Sequence, residues 1–531
     1  MSILFGAAVF LAAVLLGARP ALRWVIRRRL QGYRVAVTRP DAKLPERLST
    51  SCRVAVVGGG LAGLAAASTL AERGFAVTLF EAKGHLGGKI GAWRASLPSG
   101  EEVWVSHGFH AFFRHYYNLN SWLERLGLLR GFRAIDDYLI LSQTGEETRF
   151  RDLERTPALN LVALAFRGVY RFREVLFGPA RDLMGVFLEY DEATTFARLD
   201  RYSLADFDRL AALPPGLKLS FRTFARAFFA EEDKVSLAEL VKSFHFYYLS
   251  HDHGLIYDYP EREYEVALLA PIRRHLESLG VELRLSTPVQ TLVRNEQGTL
   301  VNGEAFDKLV VAADAAAANR LLSTAQGFPA GPWQAQLAEL RAGQRYAVLR
   351  LFLDRDVRAG LPYFVVTDRL RLLDAVTLYH RLEQESAEWV QRRGGGAVIE
   401  LHSYAVPDAL ADEEVKPALI QELLHFVPEL QGFELLGEVF QLPRDFTAFH
   451  RGLFAARPPS DSGVKGLWFA GDWVKLPFPA MLLEAAFSSG LVAANGILAE
   501  EGLSPAPIDS VPPRGLMAGM PEPPARKKLL G

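Results

Sequence analysis

The chain has 531 residues, more than the roughly 250 to 300 at which a single hydrophobic core stops growing, so two or more lobes are expected. Sixty Lys and Arg residues oppose 61 Asp and Glu residues, and the formal net charge of −1 gives no reason to expect a nucleic-acid partner. Cys52 is the only cysteine, which excludes an intramolecular disulfide and a cysteine-rich metal or iron–sulfur site.

The first predicted element is an apolar helix at the N-terminus. Met1 to Ala18 carry no charged side chain, and five arginines follow between Arg19 and Arg29. Eighteen helical residues span about 27 Å, near the short end of what crosses a bilayer. A signal peptide carries its positive charge before the apolar run, whereas here the charge follows it. We therefore predict a single-pass anchor with its basic flank over residues 1–30 and a cytoplasmic catalytic body. An interfacial helix or a signal peptide is the alternative.

A strand, a glycine-rich turn, a helix and a second strand are predicted next. Arg53 to Val57 is a short β-rich run, an Ala-rich helix covers Leu64 to Arg73, and Val77 to Phe80 forms the second strand. The turn between the first strand and the helix has G-x-G-x-x-G spacing. This order of elements is that of a dinucleotide-binding βαβ unit.

Each glycine of this turn has a physical role. Gly58 makes the turn, Gly60 lets the backbone approach a pyrophosphate, and Gly63 lets the helix and strand pack closely. The helix N-terminus offers unpaired N–H groups to the phosphates, and Glu81 can accept hydrogen bonds from ribose hydroxyls. The predicted contacts are Gly58, Gly60, Leu61, Ala62, Gly63, Glu81 and Ala82.

A glycine pair follows the second strand in "KGHLGGKIGAW". Gly87 and Gly88 let the backbone pass a second part of a long ligand, and Lys89 offsets phosphate charge; an ordinary turn is the alternative. The run from Gly58 through Lys89 resembles the FAD-binding segment of the flavin amine oxidase and phytoene desaturase superfamily. In that superfamily the double-glycine motif ends in Arg, and Lys89 keeps the charge without the bidentate fork. The resemblance implies FAD as the cofactor.

The far end of the sequence resembles the last FAD motif of plant-type carotene desaturases. A strand over Leu467 to Ala470 turns at Gly471 and Asp472, and a helix runs from about Met481 to Leu498. The carboxylate suits ribityl or ribose hydroxyls, and the helix N-terminus suits negative charge at the flavin N1–C2=O region. The predicted contacts here are Gly471, Asp472, Leu482 and Leu483.

Between these motifs, "GVELRLSTPVQTLV" alternates like a strand hairpin, and a later strand runs into a helix at Asp314. In the superfamily a Val on such a strand contacts adenine through its backbone, and Val289 matches it. The implied fold is α/β: a Rossmann-like, discontinuous FAD-binding domain beside an α+β substrate lobe. The expected FAD-binding pieces are 51–130, 265–325 and 440–502, the substrate lobe is 131–264 and 326–439, and the Pro-rich residues 503–531 form a disordered tail.

The segment "VSHGFHAFFRHYY", residues 105–117, combines histidines with aromatic side chains. Without a nearby Asp, Glu or Cys it gives poor support for a metal site, and no metal is predicted. An aromatic core and the lining of an active site remain as alternatives. In flavin desaturases a strand here brings a small residue to the isoalloxazine face, and Gly108 matches it. His107, Gly108 and His110 are therefore the catalytic candidates at the flavin face.

Substrate-side stretches at residues 106–127 and 389–405 resemble the carotene desaturase/methylase group, the isorenieratene-synthase type that aromatises β-ionone rings. The resemblance implies an FAD oxidoreductase that desaturates CH–CH bonds of a carotenoid or similar apolar polyene in an apolar cavity, and the predicted N-terminal anchor makes it membrane-associated. The expected partners are the apolar substrate and, because of the predicted anchor, membrane lipid and a quinone electron acceptor, with oxygen as the alternative acceptor.

Two other classes of function stay open, a flavin amine oxidase and a non-catalytic flavin- or lipid-binding protein. His245, His251 and His253, with Asp252, are further candidates for acid–base groups.

Overall fold

The computed structural model describes residues 19–135, 137–152, 154–171, 173, 183–254, 256–296 and 298–521. The anchor predicted over residues 1–18 lies outside them. Among the described residues, one helix is long and apolar enough to cross a bilayer, Leu482–Glu500, and 67% of its apolar stretch is buried inside the protein. Such burial is typical of a core helix.

A five-stranded parallel sheet, the nucleotide sheet, forms one side of the molecule. Its strands, in spatial order, are Glu282–Arg284, Ala76–Phe80, Arg53–Val57, Lys308–Val311 and Leu467–Phe469. The central strands are Val-rich and almost entirely buried, as in parallel sheets that helices cover on both faces. The predicted Rossmann-like α/β fold is confirmed. The helix after the glycine turn begins at Leu61, three residues earlier than predicted, because Gly63 is already helical.

The strand hairpin predicted over residues 280–293 is wrong. Glu282–Arg284 pairs in parallel with Ala76–Phe80, whereas Leu292–Asn295 starts a separate antiparallel sheet with Gly298–Val301 and Glu304–Phe306. Alternation of apolar and polar residues predicts a strand with one buried face. The alternation does not specify which strand is the partner.

A seven-stranded sheet, the large sheet, forms the other side. In spatial order its strands are Leu435–Gln441, Arg345–Leu353, Ala397–Val406, Ala375–Leu378, Phe364–Thr367, Tyr138–Leu141 and Glu147–Arg149. Smaller sheets join Ala92–Ser96 with Glu102–Ser106, and Tyr257–Pro260 with both Phe112–Phe113 and Phe132–Ile135.

Helices cover both sheets. The described α-helices are Arg19–Arg29, Leu61–Glu72, Tyr117–Arg125, Leu159–Phe166, Thr195–Leu199, Leu204–Ala211, Pro215–Arg226, Leu237–Phe244, Ala270–Ser278, Ala315–Ser323, Pro332–Glu339, Tyr379–Leu382, Gln384–Arg393, Asp412–Phe426 and Leu482–Glu500. Two π-helical turns, His245–Leu249 and Glu265–Leu269, interrupt this pattern. Such turns occur frequently at functional sites.

The disordered tail predicted from residue 503 is wrong for residues 503–521, and residues 522–531 lie outside the described part. Ile508–Ser510 forms a strand that pairs antiparallel with Val35–Thr38 near the other end of the chain. The Asp509 carboxylate accepts hydrogen bonds from Arg34 at 2.6 Å and from Arg39 at 2.5 Å. Proline-rich composition lowers the helix and strand propensity of a segment, but it does not prevent docking onto an existing surface.

We expect the terminal strand to stabilise the fold. Ile508 and Val511 are buried, with 2% and 1% of their surface exposed. Removing residues 504–531 deletes both side chains and exposes the surface they cover, and burial of each such side chain contributes about 1.5 to 3 kcal/mol to the free energy of unfolding. The truncated protein should therefore unfold at a lower temperature in a thermal melt followed by circular dichroism. A chain that lacks only residues 522–531 is the control for shortening the C-terminus. Equal melting temperatures for all three chains would contradict this role.

Candidate functional site

A cavity of about 790 Å³ is lined by residues of both the nucleotide sheet and the large sheet. Pockets for cofactors and small substrates measure roughly 300 to 1,000 Å³. Every residue predicted to bind the cofactor or to lie at the flavin face, except Gly63, lines this cavity. These residues are Gly58, Gly60, Leu61, Ala62, Glu81, Ala82, Gly87, Gly88, Lys89, His107, Gly108, His110, Val289, Gly471, Asp472, Leu482 and Leu483.

Each of the three glycines in the turn is required for a different structural reason. Gly58 has a φ of +115°, and a Cβ there would lie 2.6 Å from the Ala312 carbonyl oxygen. A Cβ on Gly63 would lie 1.9 Å from the Gly58 carbonyl oxygen, so Gly63 is needed for packing. A Cβ on Gly60, by contrast, would have the Gly88 Cα as its nearest neighbour, at 3.9 Å, and Gly60 lines the cavity. Gly60 therefore keeps space free for a ligand.

The acidic end of the second strand connects the turn to the segment after it. Glu81 accepts hydrogen bonds from the backbone N–H of Gly59 at 2.7 Å and from that of Lys83 at 2.8 Å. The N–H of Gly87 donates to the Gly59 carbonyl oxygen at 2.8 Å. The glycine turn and the double-glycine segment therefore form one hydrogen-bonded unit at the cavity.

Two helix N-termini meet the cavity without a side-chain cap. Leu61–Glu72 follows Gly60, and Leu482–Glu500 follows Met481; neither N-cap residue supplies a capping oxygen. The first-turn N–H groups and the positive end of the helix dipole make each terminus suitable for negative charge. One elongated ligand with two electron-rich regions fits this arrangement.

Lys89 connects the first and last predicted motifs. Its Nζ lies 3.3 Å from the Asp472 carboxylate and 4.5 Å from the centre of the Phe446 ring. The other Asp472 oxygen accepts a hydrogen bond from the Thr447 hydroxyl at 2.7 Å. The role of Lys89 toward a phosphate stays a prediction.

The segment around Gly108 enters the cavity as a turn, which we call the histidine turn (His107 to His110). Gly108 has a φ of +123°, and a Cβ there would lie 3.3 Å from the Val348 side chain. His107 Nε2 lies 3.3 Å from Asp445, and both ring nitrogens of His107 contact the Tyr346 hydroxyl. The sequence contains no motif around Tyr346 or Asp445, so sequence analysis missed them.

A buried ion pair lies behind the histidine turn. The Phe109 N–H donates to Glu400 at 3.0 Å, and Glu400 pairs with Arg350 at 2.7 Å and with His402 at 3.2 Å. Burial alone raises the pKa of Glu400, but Arg350 and His402 outweigh burial and lower this pKa to about 2. Glu400 therefore accepts the Phe109 hydrogen bond as a carboxylate throughout the physiological range.

Fifteen Phe and Tyr side chains line the cavity. Apart from Phe80 at the nucleotide sheet and Tyr346 and Phe446 beside His107, twelve remain, and we call them the aromatic wall. They are Phe109, Phe113, Tyr116, Tyr138, Phe224, Phe228, Phe229, Tyr247, Tyr248, Tyr257, Phe364 and Tyr404. Many of these rings touch one another; for example, Phe109 and Phe364 stack with their centres 4.8 Å apart. The π-helical turn contributes Tyr247 and Tyr248. Such a surface excludes water and suits an apolar, flat ligand.

The prediction that histidines further along the chain supply acid–base groups is wrong, because none of them lines this cavity. His245 is buried elsewhere, where Nε2 donates to the Pro512 carbonyl oxygen at 2.7 Å and burial lowers the pKa of its ring to about 4. His251, Asp252 and His253 do not line the cavity; Asp252 and His253 line a separate polar pocket. His115, of the histidine-rich segment, is fully buried among aromatic rings as a core residue.

Comparison with known families and proteins agrees with this site. Residues 61–498 match the family model described as flavin containing amine oxidoreductase. A carotenoid phi-ring synthase from Streptomyces griseus is 35% identical over 88% of this chain and 91% of its own length. A carotenoid phi-ring synthase from Chlorobaculum tepidum is 26% identical over 90% of this chain and 93% of its own length. A 15-cis-phytoene desaturase from Solanum lycopersicum is 25% identical over 84% of this chain and 77% of its own length.

Solved structures share the fold. A putrescine oxidase with bound putrescine superimposes with a TM-score of 0.61 at 16% identity, covering 85% of this chain and 99% of its own. A reduced UDP-galactopyranose mutase superimposes with a TM-score of 0.59 at 13% identity, covering 85% of this chain and 96% of its own. The family match makes FAD the cofactor, and the residues present fit it. The open space at Gly60 and the two uncapped helix N-termini suit its pyrophosphate and its flavin ring.

The different roles of Gly60 and Gly63 generate a paired prediction. Gly60→Val should fold like the parent chain but bind FAD at least tenfold more weakly, because its side chain occupies ligand space. Gly63→Val should fold poorly, because its Cβ meets the Gly58 carbonyl oxygen. Flavin content after purification and a circular-dichroism melt separate the two effects. A Gly60→Val protein that retains the full flavin content would contradict the assignment.

Proposed function

The chain belongs to the flavin-containing amine oxidoreductase family and is an FAD-dependent oxidoreductase, and on that premise we propose that it desaturates the CH–CH bonds of a carotenoid or a similar apolar polyene. The two phi-ring synthases and the phytoene desaturase among its relatives support a carotenoid substrate.

The aromatic wall is the observation that carries this proposal. An apolar ring or polyene that leaves water for twelve aromatic side chains gains about 25 cal/mol for each Å² of apolar surface buried. All the wall residues are uncharged, so an extended hydrocarbon meets no unpaired charge there. Aromatic cages also bind ammonium groups, so an amine substrate is the alternative that must be tested.

The cofactor and the groups of residues around the cavity have different roles in the proposed reaction. Bound FAD supplies a two-electron acceptor. The aromatic wall orients the substrate and excludes water, and the uncapped N-terminus of Leu482–Glu500 favours negative charge near it. The histidine turn brings a small residue, Gly108, and two imidazoles to the cavity surface.

We also propose that residues 1–30 attach the protein to a membrane, with the catalytic body on the cytoplasmic side and a quinone as electron acceptor. The described part of this segment supports an interfacial position. In the helix Arg19–Arg29, Trp24 and Val25 are 61% and 52% exposed beside several arginines. An exposed aromatic side chain beside basic residues is typical of helices at a membrane surface.

The substrate proposal predicts pigment changes in cells. Expression of the full chain in a host that accumulates β-carotene should give pigments that lack pairs of hydrogens in mass spectrometry. Gly60→Val, which we expect to bind FAD more weakly, is the control and should give less of these pigments. Unchanged pigment masses would contradict the carotenoid substrate. Hydrogen peroxide release with putrescine would instead favour an amine oxidase. Retention of lipid with neither activity would favour a binding protein.

The membrane proposal predicts a difference in flotation. The full chain should float with liposomes that contain anionic lipid in a density gradient, and a chain without residues 1–18 should float at least severalfold less. Replacing Trp24 and Val25 with Ser in the shortened chain should remove the remaining flotation. Equal flotation of all three proteins would contradict a role of residues 1–30.

A further inference from the structure

His110 differs from His107 in the state of its imidazole ring. Nδ1 of His110 lies 2.9 Å from the Gly108 carbonyl oxygen, which can only accept, so Nδ1 carries the hydrogen of the neutral ring. In the described part of the chain no hydrogen-bonding partner lies at Nε2, and the side chain is partly exposed where it lines the cavity. The ring therefore offers an Nε2 lone pair for a ligand. His107 instead has partners at both nitrogens.

Two distant side chains hold the histidine turn in place. The backbone N–H of His110 donates to the Tyr264 hydroxyl at 2.9 Å, and the backbone N–H of Phe109 donates to the Glu400 carboxylate at 3.0 Å. Tyr264 and Glu400 are both buried, at 1% and 0% exposure. The lone pair of His110 therefore has a defined position before any substrate binds.

The surroundings keep His110 neutral. Burial and the neighbouring His107 lower the pKa of His110 to about 4, although the hydrogen bond to Gly108 opposes this effect. The other titratable groups that face the ring are His402, whose charge would also disfavour the imidazolium, and Glu400, which favours it. Tyr264 faces the ring as a neutral phenol, because burial raises the pKa of its hydroxyl. The free ring is therefore unprotonated at neutral pH, and its Nε2 lone pair is available to accept a proton.

We propose that His110 Nε2 accepts the proton that leaves the substrate, and that Tyr264 and Glu400 are positioning residues for it. This proposal rests on the proposed desaturase function. Desaturation removes two hydrogens from adjacent carbons. Bound FAD in its oxidised form would supply the acceptor for one of them as hydride, with two electrons; the other leaves as a proton and forms an N–H bond at Nε2. The electron pair of that second C–H bond becomes the new carbon–carbon π bond. Because its surroundings disfavour the imidazolium, His110 returns the proton to water after the product leaves.

The ring state can be measured without activity. In the full-length, FAD-loaded protein labelled with ¹⁵N-histidine, the His110 signals are those that disappear in His110→Gln. They should show the Nδ1–H tautomer and remain neutral well below pH 6, consistent with a pKa of about 4. In Tyr264→Phe the turn loses one anchor and the tautomer signal should broaden or shift. An Nε2–H tautomer, or titration near the ordinary value of about 6.5, would overturn the proposal.

Single-turnover experiments test the base itself. His110→Ala, loaded with FAD, should form desaturated product at least 100-fold more slowly than the parent protein, as expected when a general base is removed, and added imidazole should restore part of the rate. The control is His253→Gln, which changes a histidine outside the cavity and should react normally. An active parent with an equally active His110→Ala would overturn this proposal alone. A parent that is inactive with carotenoids but keeps the ring state described above would instead overturn the desaturase function.

Discussion

Close contact between two helices from opposite ends of the chain is the constraint on which the site depends. Leu61–Glu72 and Leu482–Glu500 pack so tightly that a Cβ on Gly490 would lie 2.1 Å from the Ala62 carbonyl oxygen. Small side chains permit this distance, since helix separation depends on the residues at the contact. The contact brings both uncapped N-termini to one cavity, so a single extended cofactor can span them.

The buried charges have a geometric role. Removing Arg350 and Glu400 from water is costly, and a buried ion pair is weak evidence for stability by itself. Here the pair supplies an acceptor for the Phe109 N–H at a turn whose backbone is unusual at Gly108. A hydrocarbon pair would fill the same volume but would leave that N–H unsatisfied. The charges therefore stabilise one conformation of the histidine turn.

Local sequence patterns predicted the strand, glycine turn, helix and second strand at the start of the nucleotide sheet. The spacing of Gly58, Gly60 and Gly63 specifies a turn whose roles are local, and the strand and helix beside it follow from hydrophobic periodicity. Tyr346, His402 and Asp445 were not predictable, because long-range strand pairing and loop connections bring them to the cavity. The β-hairpin error has the same origin, since alternation identifies a strand face but not a partner. The error about the C-terminal tail arose because composition does not reveal a docking surface.

The pairing of Val35–Thr38 with Ile508–Ser510 has a consequence for biosynthesis. During translation the first of these strands leaves the ribosome early, and its only partner in the described sheet arrives when synthesis is nearly finished. Until then it presents unsatisfied backbone groups next to an apolar leading segment, a combination that promotes aggregation. A chain that ends before Ile508 therefore leaves Val35–Thr38 without the partner strand it has in this sheet.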